Sequence, residues 1–251
     1  MQITKHANGL LSIYFTAGYP HIDSTIEIAK ALEHSGADFL EIGFPYSDPV
    51  ADGPTIQHSS EVALHNGMSL KVLFEQLKDL RKHVQIPVFL MGYVNPVLQF
   101  GVEAFCKACK EVGVNGTIIP DLPMYEYEEL YQHMFEENGI SNIFLVTPQT
   151  SESRIRKIDS LSTSFIYLLS SNATTGKQLN IRDQASNYFQ RIKDMKLENP
   201  IIIGFGIHDR ETFTKATNFA NGAIVGTAFV KLLAEDDYLS RIPEFIKSIK
   251  G

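Results

Sequence analysis

Three acids stand close together in the stretch FLEIGFPYSDPVADGPTIQ, residues 39–57: Glu41, Asp48 and Asp52. The first lies inside an apolar run of strand length, and the other two lie in the Pro-rich loop after it. Successive strand side chains point to opposite faces, so Phe39, Glu41 and Gly43 share one face, with Leu40 and Ile42 on the other. If Leu40 and Ile42 pack beneath helices, Glu41 points into the interior. Burial there raises a carboxyl pKa and suits it to proton transfer. A glutamate held in a structural polar network is the alternative; a position near the strand's carboxyl end, with a second acid following, favours catalysis. Asp48-Pro49 and Asp52-Gly53-Pro54 are also good turn chemistry, and Asp52 could cap a helix starting near Pro54. Spacing does not decide which aspartate faces the pocket.

Positioning these acids requires a repeated scaffold. Eight short runs rich in Ile, Val and Phe recur at 10–15, 39–43, 87–93, 116–120, 141–146, 165–169, 200–206 and 222–226. They lack polar alternation, as strands covered on both faces do. Helical periodicity fills the gaps: Asp23–His34, Met68–Lys82, the stripe Val102/Phe105/Cys106/Cys109/Val112, Tyr125–Asn138, Ser151–Leu161, Ile181–Met195, Asp209–Phe219 and Asp236–Lys250. In HSGADFLEI, EVGVNGTII, ENGISNIFL and FANGAIVG a helix is expected to stop at glycine just before a strand. Parallel neighbours need such crossovers, so the pattern predicts a closed (β/α)₈ TIM barrel over 1–251, an α/β single domain, with a doubly wound open sheet as the structural alternative.

In such a barrel the chemistry sits at the carboxyl ends of the strands. The third run offers Tyr93 and Asn95, the fourth Asp121, and the sixth Tyr167 followed by SSNATTGKQLN. Gly204-Phe205-Gly206 ends the seventh run, and Gly226-Thr227 ends the eighth and opens a helix. Backbone N–H groups at glycine turns and a helix N-terminus can cradle phosphate, although glycine turns are also ordinary turn chemistry. Cys106 and Cys109 have CxxC spacing but fall on a helical apolar stripe without a second pair, so neither metal nor redox use is expected. The eight histidines show no ligand spacing, and no nucleophile elbow or Walker loop appears.

Hydrophobic residues make up 44% of the 251 residues, enough for a sizeable core, and charged residues 20%. The net charge of −7 argues against nucleic acid or an anionic membrane as main partner. No stretch approaches the roughly 20 apolar residues of a membrane span. The short apolar run 10–15 has no small-residue cleavage site after it. A soluble, reduced, cytoplasmic protein is expected.

The stretch 39–57 closely resembles the signature of the tryptophan synthase alpha subunit family. The similarity continues in order through YFTAGYP (14–20), MGYVNP (91–96), GVNGTIIPDLP (113–123), FIYLLS (165–170), GFGI (204–207) and GAIVGTA (222–228). The resemblance implies a (β/α)₈ barrel that cleaves indole-3-glycerol phosphate to indole and glyceraldehyde 3-phosphate, with no metal or organic cofactor in this chain. It implies Glu41 as the acid–base residue, Asp52 as the acid holding the indole N–H, and Tyr167 as the residue positioning Glu41 and the substrate hydroxyl. Gly176, Gly206, Gly226 and Thr227 would carry the phosphate, and Phe15, Tyr93 and Ile118 the indole-facing wall. The implied partner is a beta subunit that uses pyridoxal phosphate and receives indole through a tunnel, as two alpha and two beta chains. Asp48, Pro49 and Asp121 would contact it.

Two departures stand out. Where the family usually has S-x-x-G-V-T-G, this chain has Ser170-Ser171-Asn172-Ala173-Thr174-Thr175-Gly176. Thr175 could still reach Asp52 on loop closure, but the lost glycine bears on how the loop closes. MQITKHANG also leaves little room for the helix that plugs the barrel bottom in many relatives. Two rival readings, another phosphosugar barrel enzyme and a non-catalytic activator of a beta subunit, fit the paired Glu41 and Asp52 less well.

Overall fold

The computed structural model describes residue 3, residues 6–170 and residues 184–251. Nine parallel strand segments form one sheet in the order β5-β4-β3-β2-β1-β9-β8-β7-β6. They are β1 Leu10–Thr16, β2 Phe39–Gly43, β3 Val88–Met91, β4 Gly116–Ile118, β5 Ser141–Ile143, β6 Leu145–Val146, β7 Ile166–Leu169, β8 Ile201–Gly204 and β9 Gly222–Val225. The fifth apolar run supplies both β5 and β6. Its first half pairs with β4 and its second with β7. The Phe144 carbonyl between them accepts from the Tyr167 N–H at 3.1 Å. Eight apolar runs therefore make nine segments, and the sheet curls into a nearly closed barrel.

The helices between the strands are α1 Thr25–Ser35, α2 Pro54–His65, α3 Leu70–Leu77, α4 Leu80–His83, α5 Val94–Phe100, α6 Val102–Val112, α7 Met124–Glu126, α8 Gln132–Asn138, α9 Glu152–Leu161, α10 Gln184–Asp194, α11 Arg210–Thr217, α12 Thr227–Leu232 and α13 Tyr238–Lys250; a π-helical turn, Tyr127–Tyr131, joins α7 to α8. The helix expected over Met68–Lys82 is two, broken at Lys78-Asp79.

Three of the four glycine joins close as expected. Gly36, Gly113 and Gly139 have φ of 100°, 79° and 68°. The next residue in each case donates to the carbonyl five back: Ala37 to Leu32, Val114 to Cys109 and Ile140 to Phe135, at 2.8–3.1 Å. This is the bond that satisfies an orphan carbonyl at a helix end. The fourth join differs: α11 ends at Asn218 in the ordinary helical region, and Gly222 is the first residue of β9. A Cβ there would collide with the Leu10 carbonyl of β1, so close strand approach accounts for that glycine.

Alternation divides the apolar side chains into two cores. Leu11, Ile13, Phe15, Leu40 and Ile42 face outward into the large layer under the helices. Phe39, Phe89, Ile118, Ile143, Phe165, Tyr167, Ile202 and Ile224 fill the barrel interior. Phe39, Phe89 and Phe165 meet one another at 5.1–5.9 Å between ring centroids. Ile3 also packs against this interior cluster.

Candidate active site

Glu41 sits in β2 opposite Tyr14 of β1 and Phe89 of β3, and it is wholly buried. Its inward direction follows from Leu40 and Ile42 lying in the helix-side layer. Ser12 donates to Oε1 at 3.4 Å, and Oε2 has no hydrogen-bond partner among the described residues. Burial raises its pKa to about 8, against a smaller opposing effect from the Ser12 hydroxyl. Glu41 is thus largely protonated at neutral pH.

Asp52 lies in the loop between β2 and α2. Tyr93 donates to Asp52 Oδ2 at 3.1 Å, and the Tyr93 oxygen accepts from the Ala51 N–H at 2.9 Å. Partial burial lifts the Asp52 pKa to about 6, opposed by the Tyr93 hydrogen bond. Asp52 is therefore mainly ionised where Glu41 is mainly neutral. Asp48, by contrast, is exposed and accepts from Ser47 Oγ at 2.6 Å. The structure thus distinguishes two aspartates that spacing left equivalent.

Two tyrosines lie within electrostatic reach of both acids. The hydroxyls of Tyr14 and Tyr167 are held neutral chiefly by burial, and then by Asp52 and, once it ionises, Glu41. Glycines make room for these rings. A Cβ on Gly43 would strike the Tyr14 hydroxyl, one on Gly204 the Tyr167 hydroxyl, and one on Gly92 the Phe44 ring. Tyr14 reaches Thr16 Oγ1 at 3.4 Å, which contacts Ser59 Oγ of α2 at 2.7 Å. A small cavity opens between Tyr14, Phe44, Tyr46, Asp52, Met91 and Tyr93. Half-buried Met91, Leu145, Leu169 and Phe205 extend the apolar interior toward the rim.

Phe205 and Gly206 both have positive φ, 70° and 77°. For a bulky residue this is a costly conformation of the kind that clusters at functional sites. Ser170 Oγ donates to the Phe205 carbonyl at 2.7 Å, and the Phe205 ring meets Tyr167 edge-on at 6.5 Å. Gly226 precedes Thr227 at the start of α12, where no side chain caps the helix. Its first N–H groups lack the side-chain acceptor that caps commonly provide. Among the described residues no group of three or more His, Cys, Asp or Glu could hold a metal ion, and no helix is long and apolar enough to cross a membrane.

A tryptophan synthase alpha chain family model matches residues 1–245. The chain belongs to the tryptophan synthase alpha chain family. Among curated tryptophan synthase alpha chains it is 56% identical to that of Flavobacterium psychrophilum over 240 residues, covering 96% of this chain and 94% of the relative. It is 55% identical to that of Christiangramia forsetii over 242 residues, covering 96% and 94%. A mutant tryptophan synthase alpha-subunit from Pyrococcus furiosus superposes with a TM-score of 0.88 at 35% identity, covering 97% of this chain and 98% of that one. Membership in the family implies tryptophan biosynthesis and accords with the barrel.

One expected wall residue of this alpha chain family member is misplaced. Phe15 is buried on the helix side of β1, where it meets Phe229 at 6.5 Å; the register that pairs Tyr14 with Glu41 forces its odd-numbered neighbour outward. Tyr14 takes the inward position. The signal was available, since Ser12, Tyr14 and Thr16 form a polar alternation on one face of β1. Ile118 lies in the interior cluster and Tyr93 on the cavity wall. Gly176 and Thr175 lie outside the described residues. Asp121 is exposed, and its Oδ1 accepts from the Val94 N–H at 2.8 Å, capping α5. Pro49 is half-buried beside Val50, which is 80% exposed. Cys106 and Cys109 are buried in α6, and burial pushes the Cys106 thiol up to about 12, the behaviour of inert core thiols.

Proposed function

We propose that the chain performs the lyase half of tryptophan synthesis, the retro-aldol cleavage of indole-3-glycerol phosphate to indole and glyceraldehyde 3-phosphate. The observation that carries the reading is the placing of two carboxyls in different surroundings: Glu41 wholly buried on β2 with Oε2 unpartnered among the described residues, and Asp52 held by Tyr93 in the loop that follows. Two carboxyls whose surroundings separate their pKa values can divide acid and charge-stabilising duties.

Carbon–carbon cleavage is easy only if the ring carbon leaves as part of a neutral molecule. Glu41 gives its proton to indole C3 while Asp52 accepts the ring N–H and stabilises the positive charge spreading to that nitrogen. Glu41, now ionised, takes the proton from the hydroxyl on the carbon joined to the ring. The oxygen electrons form the aldehyde C=O, the C–C bond breaks, and its electrons return to the ring. Tyr167 positions the hydroxyl and Glu41. Tyr14, Tyr93, Ile118 and the half-buried rim residues provide the apolar wall, Tyr14 in place of Phe15. Gly206 and Gly226-Thr227, together with Gly176, hold the phosphate through backbone N–H groups and the start of α12.

This chemistry requires no metal or organic cofactor in the chain. The solved relatives include a tryptophan synthase complex from Pyrococcus furiosus. A complex fits a partner chain, and the resemblance to the family makes that partner a pyridoxal phosphate-containing beta subunit, two of each chain assembling in the cytoplasm and passing indole internally. Asp48, Pro49 and Asp121 are the proposed contacts.

The test is indole release from indole-3-glycerol phosphate by the purified chain, alone and with a beta subunit. Slow release alone that rises sharply with the partner is expected. Absence of release in both, from folded protein, overturns the assignment.

A further inference from the structure

The barrel interior beneath the site is hydrocarbon, built from Phe39, Phe89, Phe165, Ile202 and Ile224, yet it contains the hydroxyl of Ser12. Ser12 is wholly buried, lies one inward position before Tyr14 on β1, and pairs in register with Phe39. A hydroxyl buried among apolar side chains is unfavourable unless it is hydrogen-bonded. Its side-chain partner is Glu41 Oε1 at 3.4 Å. The other carboxyl oxygen, Oε2, is buried without a partner.

We propose that Ser12 is a positioning residue for Glu41: by donating to Oε1 it fixes the carboxyl rotamer and leaves Oε2 as the oxygen that carries and exchanges the proton. This rests on the acid–base role proposed for Glu41. A serine hydroxyl that donates to Oε1 makes that oxygen the acceptor, so the resident proton sits on Oε2. When Oε2–H gives its proton to the substrate, the charge left on the carboxylate strengthens the Ser12 hydrogen bond, because bonds to ionised acceptors are shorter and stronger. The length of 3.4 Å suits the resting state, in which Glu41 is neutral and a poor acceptor. The other titratable groups facing Glu41 are the tyrosines Tyr14 on β1 and Tyr167 on β7, with Asp52 acting from the loop after β2. The inward residues of β3, β8 and β9 nearby are Phe89, Ile202 and Ile224. No positive group is among these, and among the described residues Ser12 is the one whose hydroxyl is hydrogen-bonded to the Glu41 carboxyl.

The experiment is a carboxyl-¹³C NMR titration of glutamate-labelled protein, with the Glu41 resonance identified by its loss in Glu41→Gln. In the unsubstituted chain it should titrate well above the ordinary glutamate range. Ser12→Ala should raise the midpoint further, by about half a unit to one unit. Ser12→Cys, similar in shape but a weak donor, should fall between. In the presence of a beta subunit, Ser12→Ala should lower kcat for indole release about three- to tenfold with KM within about twofold. Ser12→Ala that melts at lower temperature but leaves the Glu41 midpoint unmoved assigns Ser12 to packing alone and overturns the proposal. A shifted midpoint in a protein that releases no indole, even unsubstituted, supports the positioning role and overturns only the lyase reading.

Discussion

The Tyr93 hydroxyl stands between Asp52 Oδ2, to which it donates at 3.1 Å, and the Ala51 N–H, from which it accepts at 2.9 Å. One side chain from the end of β3 thereby fixes both the backbone and the carboxylate of the loop after β2. The hydrogen bond also favours the ionised form of Asp52 against the burial that opposes it.

Tyr93→Phe removes that donor, so the Asp52 pKa should climb above about 6 and the ionised fraction below neutrality should fall. The acid limb of kcat/KM for indole release should move to higher pH by about half a unit to one unit, with a loss of about two- to fivefold near pH 6. An unmoved limb would show that another group sets the charge of Asp52.

Glu41→Gln should abolish cleavage, a loss of about a hundredfold or more, as expected when a general acid–base group is removed. It should also change how stability depends on pH. The folded-state pKa of Glu41 is raised to about 8 from a reference value of 4.5. The native carboxyl therefore keeps its proton through a range where the unfolded one loses it. Its contribution is fully present below about pH 4.5 and is lost as pH rises toward 8. Relative to the unsubstituted chain, Glu41→Gln should grow more stable across that window, by on the order of a few kcal/mol, and then level off. Urea unfolding at pH 5 and pH 8.5 measures this; the constant cost of a buried amide cancels in the difference. Equal differences at both pH values would mean that Glu41 is not held neutral.

Gly204→Ala places a methyl where the Tyr167 hydroxyl lies. The ring must move, costing about 1–3 kcal/mol in overpacking, and indole release should fall with it. Gly226→Ala differs, because its Cβ would meet Tyr14 at an ordinary 3.6–3.8 Å. Stability should change little while KM rises, as the methyl crowds the start of α12. Denaturant midpoints and steady-state kinetics on the two variants distinguish ring displacement from phosphate exclusion; a KM unchanged in Gly226→Ala would remove that glycine from the phosphate site.

Much of this architecture is legible in the sequence. The apolar runs marked every strand, and Leu40 and Ile42 correctly implied that Glu41 faces inward. The split of the fifth run at Phe144 was not legible, because it arises from closing a ring and not from local propensity. Phe15 on the wall came only from the resemblance; interstrand register decides parity, and Tyr14 is the residue opposite Glu41. The Tyr93–Asp52 contact spans 41 positions and exists only once β3 lies beside β2. Gly222 resembled a helix stop because its neighbours matched the other three joins; its role depends on how closely β1 passes.

The aromatic floor formed by Phe39, Phe89 and Phe165 has a further consequence. A vessel sealed at one end has a single doorway for its traffic, and the described interior on the floor side of Glu41 offers Ser12 but no chain of polar groups leading out. In the proposed lyase reaction, protons would then reach Glu41 by the route the substrate uses. With the substrate filling that doorway, the proton on Glu41 would be cut off from bulk water, and its remaining destination would be the molecule to be cleaved. On that reading the barrel is a one-place proton safe, closed by its own cargo, in which donation to carbon and recovery from oxygen are two halves of one exchange.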